Sequence, residues 1–460
     1  MPHAVTTRAS PSGATGSLTR SLIGLLDRPI SQADRQRAAL HLLDWLGCVQ
    51  LGRTAEVGLA LARLADQSAA GPCTVVGAGL REAGMAALVN GGLGNVFEMD
   101  DVHRRSIMHP GDTVIAAAWA VAEREGSSAA QLLEAMIRGY EVAIRVGTAA
   151  GPSHYRNWYS TATCGVFGAA AACAHLLGLN PERSADALGQ AGMMAAGLWQ
   201  CRNEPTFSKQ LAAGRSAQSG VLAADLARIG FPGPKQILEG SHGFFAACCD
   251  HADAGALLAD PLSPWKLYEV SFKPWPACRH VHPAIEAALK LREQLPAVSQ
   301  IESLTLRTYA DAISFADCPE PETAHQARFS LQHAVAVAWL RGDMTLQDSE
   351  PAAIADPAIA ALRGRVKVVC DEQLTLAYPE RFGALLCVRS PGGQERVATV
   401  QAVKGDPENP LSAQDLQDKA LGLMSAAGLK PQMGQRIVQS CLDLAQDGPI
   451  SALSAALRLA

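Results

Sequence analysis

Basic side chains in this chain gather where they could bind an anion or move a proton. His103, Arg104, Arg105 and His109 fall within one short stretch, and His154-Tyr155-Arg156 form a triplet. Lys209, Arg215, Lys273, Arg279, His280 and His282 lie in Gly/Pro-rich or polar surroundings. A di- or tricarboxylate needs several fixed donors around its oxygens, and the arginine fork matches a carboxylate. Taken one at a time, each of these residues is equally well an ordinary solvated face or a charge at a helix end. Only their convergence in space would make a site.

The stretch from Asn95 to Pro110 is the densest in reactive groups, with Glu98, Asp100, Asp101, His103, Arg104, Arg105 and His109. It sits between two helical patterns and is expected to be a loop, with Pro110, Gly111 and Asp112 opening the next helix. His109 then precedes a helix N-terminus, where the dipole favours a neutral, proton-accepting imidazole. His282 stands in the same relation to Pro283. A histidine at a helix start is more often a cap or packing residue than a general base. Asp100, Asp101, His103 and His109 also resemble a metal-ligand set. That reading is set aside, because no H-E-x-x-H occurs and His280-x-His282 would share a face only on a strand. Gly91-Gly92-x-Gly94 follows an Ala-rich helical pattern rather than a strand, which makes it a poor dinucleotide signal. A G-x-S-x-G nucleophile elbow does not occur.

The elements that must position these groups read as mainly helical. The chain has 460 residues, 48% hydrophobic and 5% aromatic, a balance that favours closely packed Ala-rich helices. Helical segments are expected at 18–51, 113–123, 129–150, 166–177 and 214–229, separated by Gly, Pro or Asn. The character changes near Pro264. After the aromatic, Pro-punctuated run 268–276, a helix opens at Pro283 and strands are expected at 301–309, 364–370, 384–388 and 395–400, the last two joined across Pro-Gly-Gly. Helical pattern resumes after Leu411. The expected organisation is a helical domain over 17–265, completed by 405–460, with a smaller α+β lid domain over 266–404 inserted toward the C-terminal side.

Several classes are excluded by composition. The formal net charge of −5 comes without a basic run, so nucleic acid is not an expected partner. No apolar stretch approaches the roughly 20 residues needed to span a bilayer. Residues 1–16 read as a loose tail, with a weak organellar transit peptide as the lesser alternative to a cytoplasmic protein. Twelve cysteines without a C-x-x-C pair point to reduced thiols.

A set of motifs occurs in a recognisable order: the loop ending in Asp100-Asp101 and His109-Pro110, Gly139-Tyr140-Glu141-Val142, Trp158 to Gly168, Ser208-Lys209 with Gly214-Arg215 and Ser219-Gly220, Ile237 to Gly240 with Gly243-Phe244-Phe245, Lys273 to His282, and Ala327-Arg328-Phe329-Ser330. By these motifs the chain resembles the MmgE/PrpD family, which includes 2-methylcitrate dehydratase, cis-aconitate decarboxylase and iminodisuccinate epimerase. The resemblance implies a large helical domain, a smaller α+β lid, an active site in the cleft between them, no cofactor and a homodimer. Carried over by motif position, the catalytic groups are Lys209, Tyr155, His109, Asp100 and Asp101. The substrate-binding groups are Arg104, Arg105, His103, Tyr159, Lys273, Cys278 and His282. The chain departs from the family pattern at Glu98-Met-Asp-Asp-Val102 and at Tyr159, where Asp-Phe-Asp-Asp-Thr and a histidine are usual, and this implies a different substrate.

The family's reactions withdraw a proton or a carboxylate from a carbon beside a carboxylate, so a base and donors around the developing charge are required. Lys209 and Tyr155 are expected as opposed proton-transfer groups with His109 assisting. Neighbouring cations are expected to lower the lysine's pKa enough to make it a base. The leading reading is a cofactor-independent lyase, a dehydratase or decarboxylase, on a small di- or tricarboxylic acid. An epimerase of a dicarboxylate is the alternative. A non-catalytic carboxylate-binding homologue is a third, against which Lys209 argues.

Overall fold

The computed structural model describes residues 17–204, 206–295 and 297–460; the loose tail read over 1–16 lies outside them. Helices begin where the sequence supplies caps. Ser31 with Asp34 closes a capping box ahead of helix Gln32–Gly52, and Ser128 with Gln131 does the same ahead of Ala129–Tyr155. The first capping box also divides the run read as one helix over 18–51, whose first part is a separate short helix, Leu18–Gly24.

The central helices are Ala83–Leu93, Pro110–Glu125, Ala129–Tyr155, Ser160–Leu176 and Ser208–Arg228. Two of them start about one and a half turns before the expected positions, and Gly165 and Gly214 lie inside them. Both glycines are contact points. A Cβ on Gly214 would fall 2.0 Å from the Leu88 carbonyl oxygen, and one on Gly139 would fall 2.4 Å from Val114 Cγ1. The missing side chains let whole helices approach closely, and the alanines around them fill the space without large gaps. The break inside Ala129–Tyr155 comes at Gly151 (φ 68°), directly ahead of Pro152.

Two large apolar cores organise the chain. The first joins these helices and takes in Ala420, Met424, Ile437 and Leu453 from helices Ala413–Ala426, Pro431–Asp443 and Ile450–Leu459. Gly47 lies against Ala420, where a Cβ would come within 3.0 Å of its Cα. The second core covers Trp275 to Val403. It backs a four-stranded sheet in the order Val366–Cys370, Ser303–Thr308, Ala384–Arg389, Glu395–Val400. The first pair is parallel and the others antiparallel, with Leu304 opposite both Val366 and Val388. Leu304, Leu306, Leu386 and Val388 are buried, and helices His282–Arg292 and Leu331–Arg341 contribute to the same core. Among the described residues, no helix is long and apolar enough to cross a membrane.

A small antiparallel bridge, Val102–His103 against Val270–Ser271, ties the reactive loop to the segment that enters the second core. From behind, Lys419 holds the same loop: its ammonium donates to the Met99 carbonyl and to Asp44 Oδ1, both at 2.6 Å.

Candidate active site

Loop 95–109 turns sharply at Glu98, a non-glycine residue in the left-handed region (φ 57°). Such a backbone costs on the order of 1 kcal/mol and persists only where its surroundings hold it. Here it aims a buried carboxylate at two lysines. Glu98 Oε1 accepts from the Lys209 ammonium, and Oε2 lies 3.6 Å from Lys273 Nζ. Lys273 is fully buried and donates to Asp100 Oδ1 at 3.0 Å, while Asp100 Oδ2 lies 2.7 Å from His109 Nδ1. Lys209, Glu98, Lys273 and Asp100 thus form one unbroken chain of alternating charge that ends on the imidazole of His109.

Each link is set by local structure. Lys209 sits in the first turn of Ser208–Arg228. Lys273 follows the two-residue bridge to the loop, and the Phe272 amide is fixed by the Gly405 carbonyl at 2.9 Å. His109 is the N-cap residue of Pro110–Glu125, and its amide donates to Thr161 Oγ1 at 3.0 Å. Its Nδ1 also faces the Asp101 carbonyl oxygen at 3.1 Å. Both neighbours of Nδ1 can only accept, so Nδ1 carries the hydrogen and, in the neutral ring, Nε2 is the atom left to take a proton.

The electrostatics follow from burial and pairing. Burial pushes the Glu98 carboxyl up, but Lys209 and Lys273 outweigh it and hold it at about 2. Asp100 is also held low, burial being outweighed by His109 and Lys273. Burial works to lower Lys209, yet Glu98 and Asp100 raise it above the ordinary lysine value, and Lys273 behaves alike. This corrects the expectation of a lysine made basic by neighbouring cations. The groups nearest Lys209 are carboxylates, so it stands as an ammonium and is equipped to give a proton. Asp112, fully buried beside the chain, is pushed well above its ordinary value by burial and then by the charge of Asp100.

An aromatic wall flanks these groups. Tyr155 and Tyr159 pack on Trp199, with ring centroids 5.3 and 4.7 Å away, and Tyr155 also stacks on Phe315 at 5.8 Å. Phe315 belongs to helix Ala310–Ala316 of the sheet-bearing unit, so the wall is built from both units. The Tyr159 hydroxyl accepts from Asn95 Nδ2 at 3.3 Å. Burial keeps both phenols protonated. Cys278 is buried, and burial followed by the charge of Glu98 pushes its thiol up to about 12.

The N-terminal domain of MmgE/PrpD proteins matches residues 26–256, and the C-terminal domain matches 275–444. The chain belongs to the MmgE/PrpD family. It is 27% identical to a cis-aconitate decarboxylase-like protein of Aspergillus oryzae, with 98% of each chain covered. It is 27% identical to the cis-aconitate decarboxylase of Homo sapiens over 88% of this chain and 86% of that one. A mitochondrial 2-methylcitrate dehydratase of Yarrowia lipolytica is 29% identical over 54% of this chain and 48% of its own.

Within this MmgE/PrpD chain, not every basic or acidic residue of the expected set joins the charge chain. Asp101 turns away from it: its Oδ2 accepts from Tyr140 at 2.7 Å and from His41 at 2.8 Å, and Oδ1 accepts from the Gly111 amide at 3.1 Å. It fixes the loop to the following helix. Arg104 is occupied by Glu408 at 2.7 and 2.9 Å and by Asp406 at 3.5 Å. Arg105 is half exposed and paired with Glu380. His103 is engaged by Ser106 and Glu269. His282 donates from Nε2 to the Ala277 carbonyl at 3.0 Å and packs on Trp275. These arrangements depend on acids more than 100 residues away, such as Asp406 and Glu408, which the local sequence does not reveal. Asp112 and His41 are not among the expected site residues, and Glu98 is there only as one of the loop's reactive groups and a departure from the family pattern, with no role of its own. No group of three or more His, Cys, Asp or Glu among the described residues is arranged to hold a metal ion.

Proposed function

We propose that this protein is a lyase that removes water or carbon dioxide from a small tricarboxylic acid of the citrate or aconitate type, using its own side chains. The observation that carries the reading is the chain Lys209–Glu98–Lys273–Asp100–His109, which holds two cations and a singly oriented imidazole in one largely buried place. The full-length similarity to cis-aconitate decarboxylases supports the substrate class.

In dehydration, a base takes the proton from the carbon beside a carboxylate, and the hydroxyl leaves as water after receiving a proton. In decarboxylation, the electron pair of the breaking C–C bond spreads into the neighbouring carboxylate and the carbon is then protonated. His109 Nε2 serves as base in the first reaction. The Lys209 ammonium, opposed by the Tyr155 phenol, serves as acid in either, while Lys273 stabilises the developing charge.

The division into a helical domain over 17–265 with 405–460, and an inserted lid over 266–404, is supported by the two cores and by the C-terminal helices joining the first. A homodimer is supported by exposed apolar residues that recur along Ser208–Arg228 and its ends, Phe207, Leu211, Leu222 and Ile229. A reducing compartment such as the cytoplasm is supported by twelve cysteines, all free thiols.

The test is turnover of citrate, 2-methylcitrate, cis-aconitate and aspartate-derived acids in deuterated buffer, followed by NMR. Loss of water or carbon dioxide from at least one tricarboxylate is expected, and Lys209→Ala should abolish it. Undiminished activity in that variant would remove the lysine from the mechanism. Solvent label entering at carbon without net product would favour the epimerase.

A further inference from the structure

A tricarboxylate brings more negative charge than Lys209 and Lys273 can hold, since both already face carboxylates of the protein. Arg104 and Arg105, the arginines nearest in sequence, are committed to Glu408 and Glu380. One arginine beside the charge chain is not committed. Arg328 ends the five-residue helix Ala324–Arg328, which a Thr323–Gln326 capping box starts. Its residue is 8% exposed, its Nε is buried without a partner, and its side chain makes no hydrogen bond among the described residues. The nearest carboxylate is that of Glu350, a loose 3.8 Å away and half exposed. A buried guanidinium so poorly satisfied is expensive unless something else completes it.

Its position indicates what that is. The guanidinium lies 4.8 Å over the ring of Phe97, the residue immediately before Glu98. The Arg328 carbonyl accepts from the Cys278 amide at 3.0 Å, which attaches it to the segment that carries Lys273. Burial lowers its pKa, and Glu350 and Glu98 partly offset that, which puts Glu98 within electrostatic reach. The attraction of a guanidinium to an aromatic face holds Arg328 against Phe97 without using any of its N–H donors.

We propose that Arg328 is the sheet-bearing unit's contribution to substrate binding: its fork takes a carboxylate of the substrate distant from the reacting carbon, and Glu350 occupies it in the free protein. This rests on the lyase reading, whose substrate class it deepens. Arg328 touches the substrate without moving a proton, so it acts on binding more than on the chemical step.

The test is calorimetric titration with propane-1,2,3-tricarboxylate, which has no double bond or hydroxyl to react, and with glutarate, which lacks one carboxylate. Arg328→Gln should weaken the tricarboxylate about 10- to 100-fold, the scale of a charge-assisted bidentate pair. Glutarate should weaken less, and Arg328→Lys should fall between, since it keeps the charge and loses the fork. Glu350→Gln, which leaves the arginine in place, should tighten the tricarboxylate several-fold by removing its competitor. With turnover in hand, Arg328→Gln should raise KM far more than it lowers kcat. Wild-type affinity in Arg328→Gln, or no gain in Glu350→Gln, would overturn the proposal alone. Failure of the wild-type protein to bind the tricarboxylate would overturn the lyase reading itself and this proposal with it.

Discussion

Replacing Glu98 by Gln keeps the shape of the side chain and removes the carboxylate that lies within ion-pair distance of both Lys209 and Lys273. Lys273 keeps Asp100 at 3.0 Å, whereas Lys209 loses its direct carboxylate partner. The carboxyl is held at about 2 against an ordinary 4.5. That gap of roughly 2.5 units corresponds to about 3 kcal/mol of folding stability at neutral pH. Because the folded-state value is depressed, the contribution is complete well above pH 4.5 and drains away as pH falls toward 2. About 2 of the 3 kcal/mol should be gone by pH 3. Urea unfolding of both proteins at several values between pH 7 and 3 measures this directly. Glu98→Gln should be less stable by about 3 kcal/mol at pH 7, with the difference narrowing to about 1 at pH 3. A difference that does not change with pH, or a variant as stable as wild type at pH 7, would show that the lysines do not hold this carboxylate as described.

Asp112 has the opposite sign. Its carboxyl is raised above the ordinary value of 3.8, so wild-type stability declines as pH rises past that value. Asp112→Asn should therefore gain stability relative to wild type as pH rises from 4 to 7, and a stability difference that does not change with pH would contradict the raised carboxyl. Arg104→Met should cost about 3 kcal/mol, read from the urea midpoint, because it leaves buried Asp406 with one fewer cation. Its KM should stay within a few-fold of wild type; a tenfold rise would place Arg104 on the substrate.

Much of the architecture was legible because caps and periodicity are local. The Pro110 helix start and the strands near Ser303, Val366, Ala384 and Glu395 follow from neighbours in sequence, whereas the Ser31 box that splits 18–51 into two helices is not part of that reading. The helices through Gly165 and Gly214 start earlier than expected because a glycine's role as a contact point appears only when a second helix is present. The same limit applies to charges. The loop and both lysines were recognisable by type, but which carboxylate each cation meets is a long-range property: 111 residues separate Lys209 from Glu98, and 302 separate Arg104 from Asp406. That is why Lys209 was expected to be basic and why Arg328 carried no role.

The bridge Val102–His103 to Val270–Ser271 staples the acidic loop to the backbone just ahead of Lys273, although Lys273 lies 170 positions beyond His103 in the chain. A protease cut in a surface connection such as 230–236 would leave both ends of that staple on the same folded body. The nicked protein should therefore keep its reactive centre assembled. Opening the ladder itself, by a proline at Val270, would let the lysine drift from its carboxylates while every helix stayed intact.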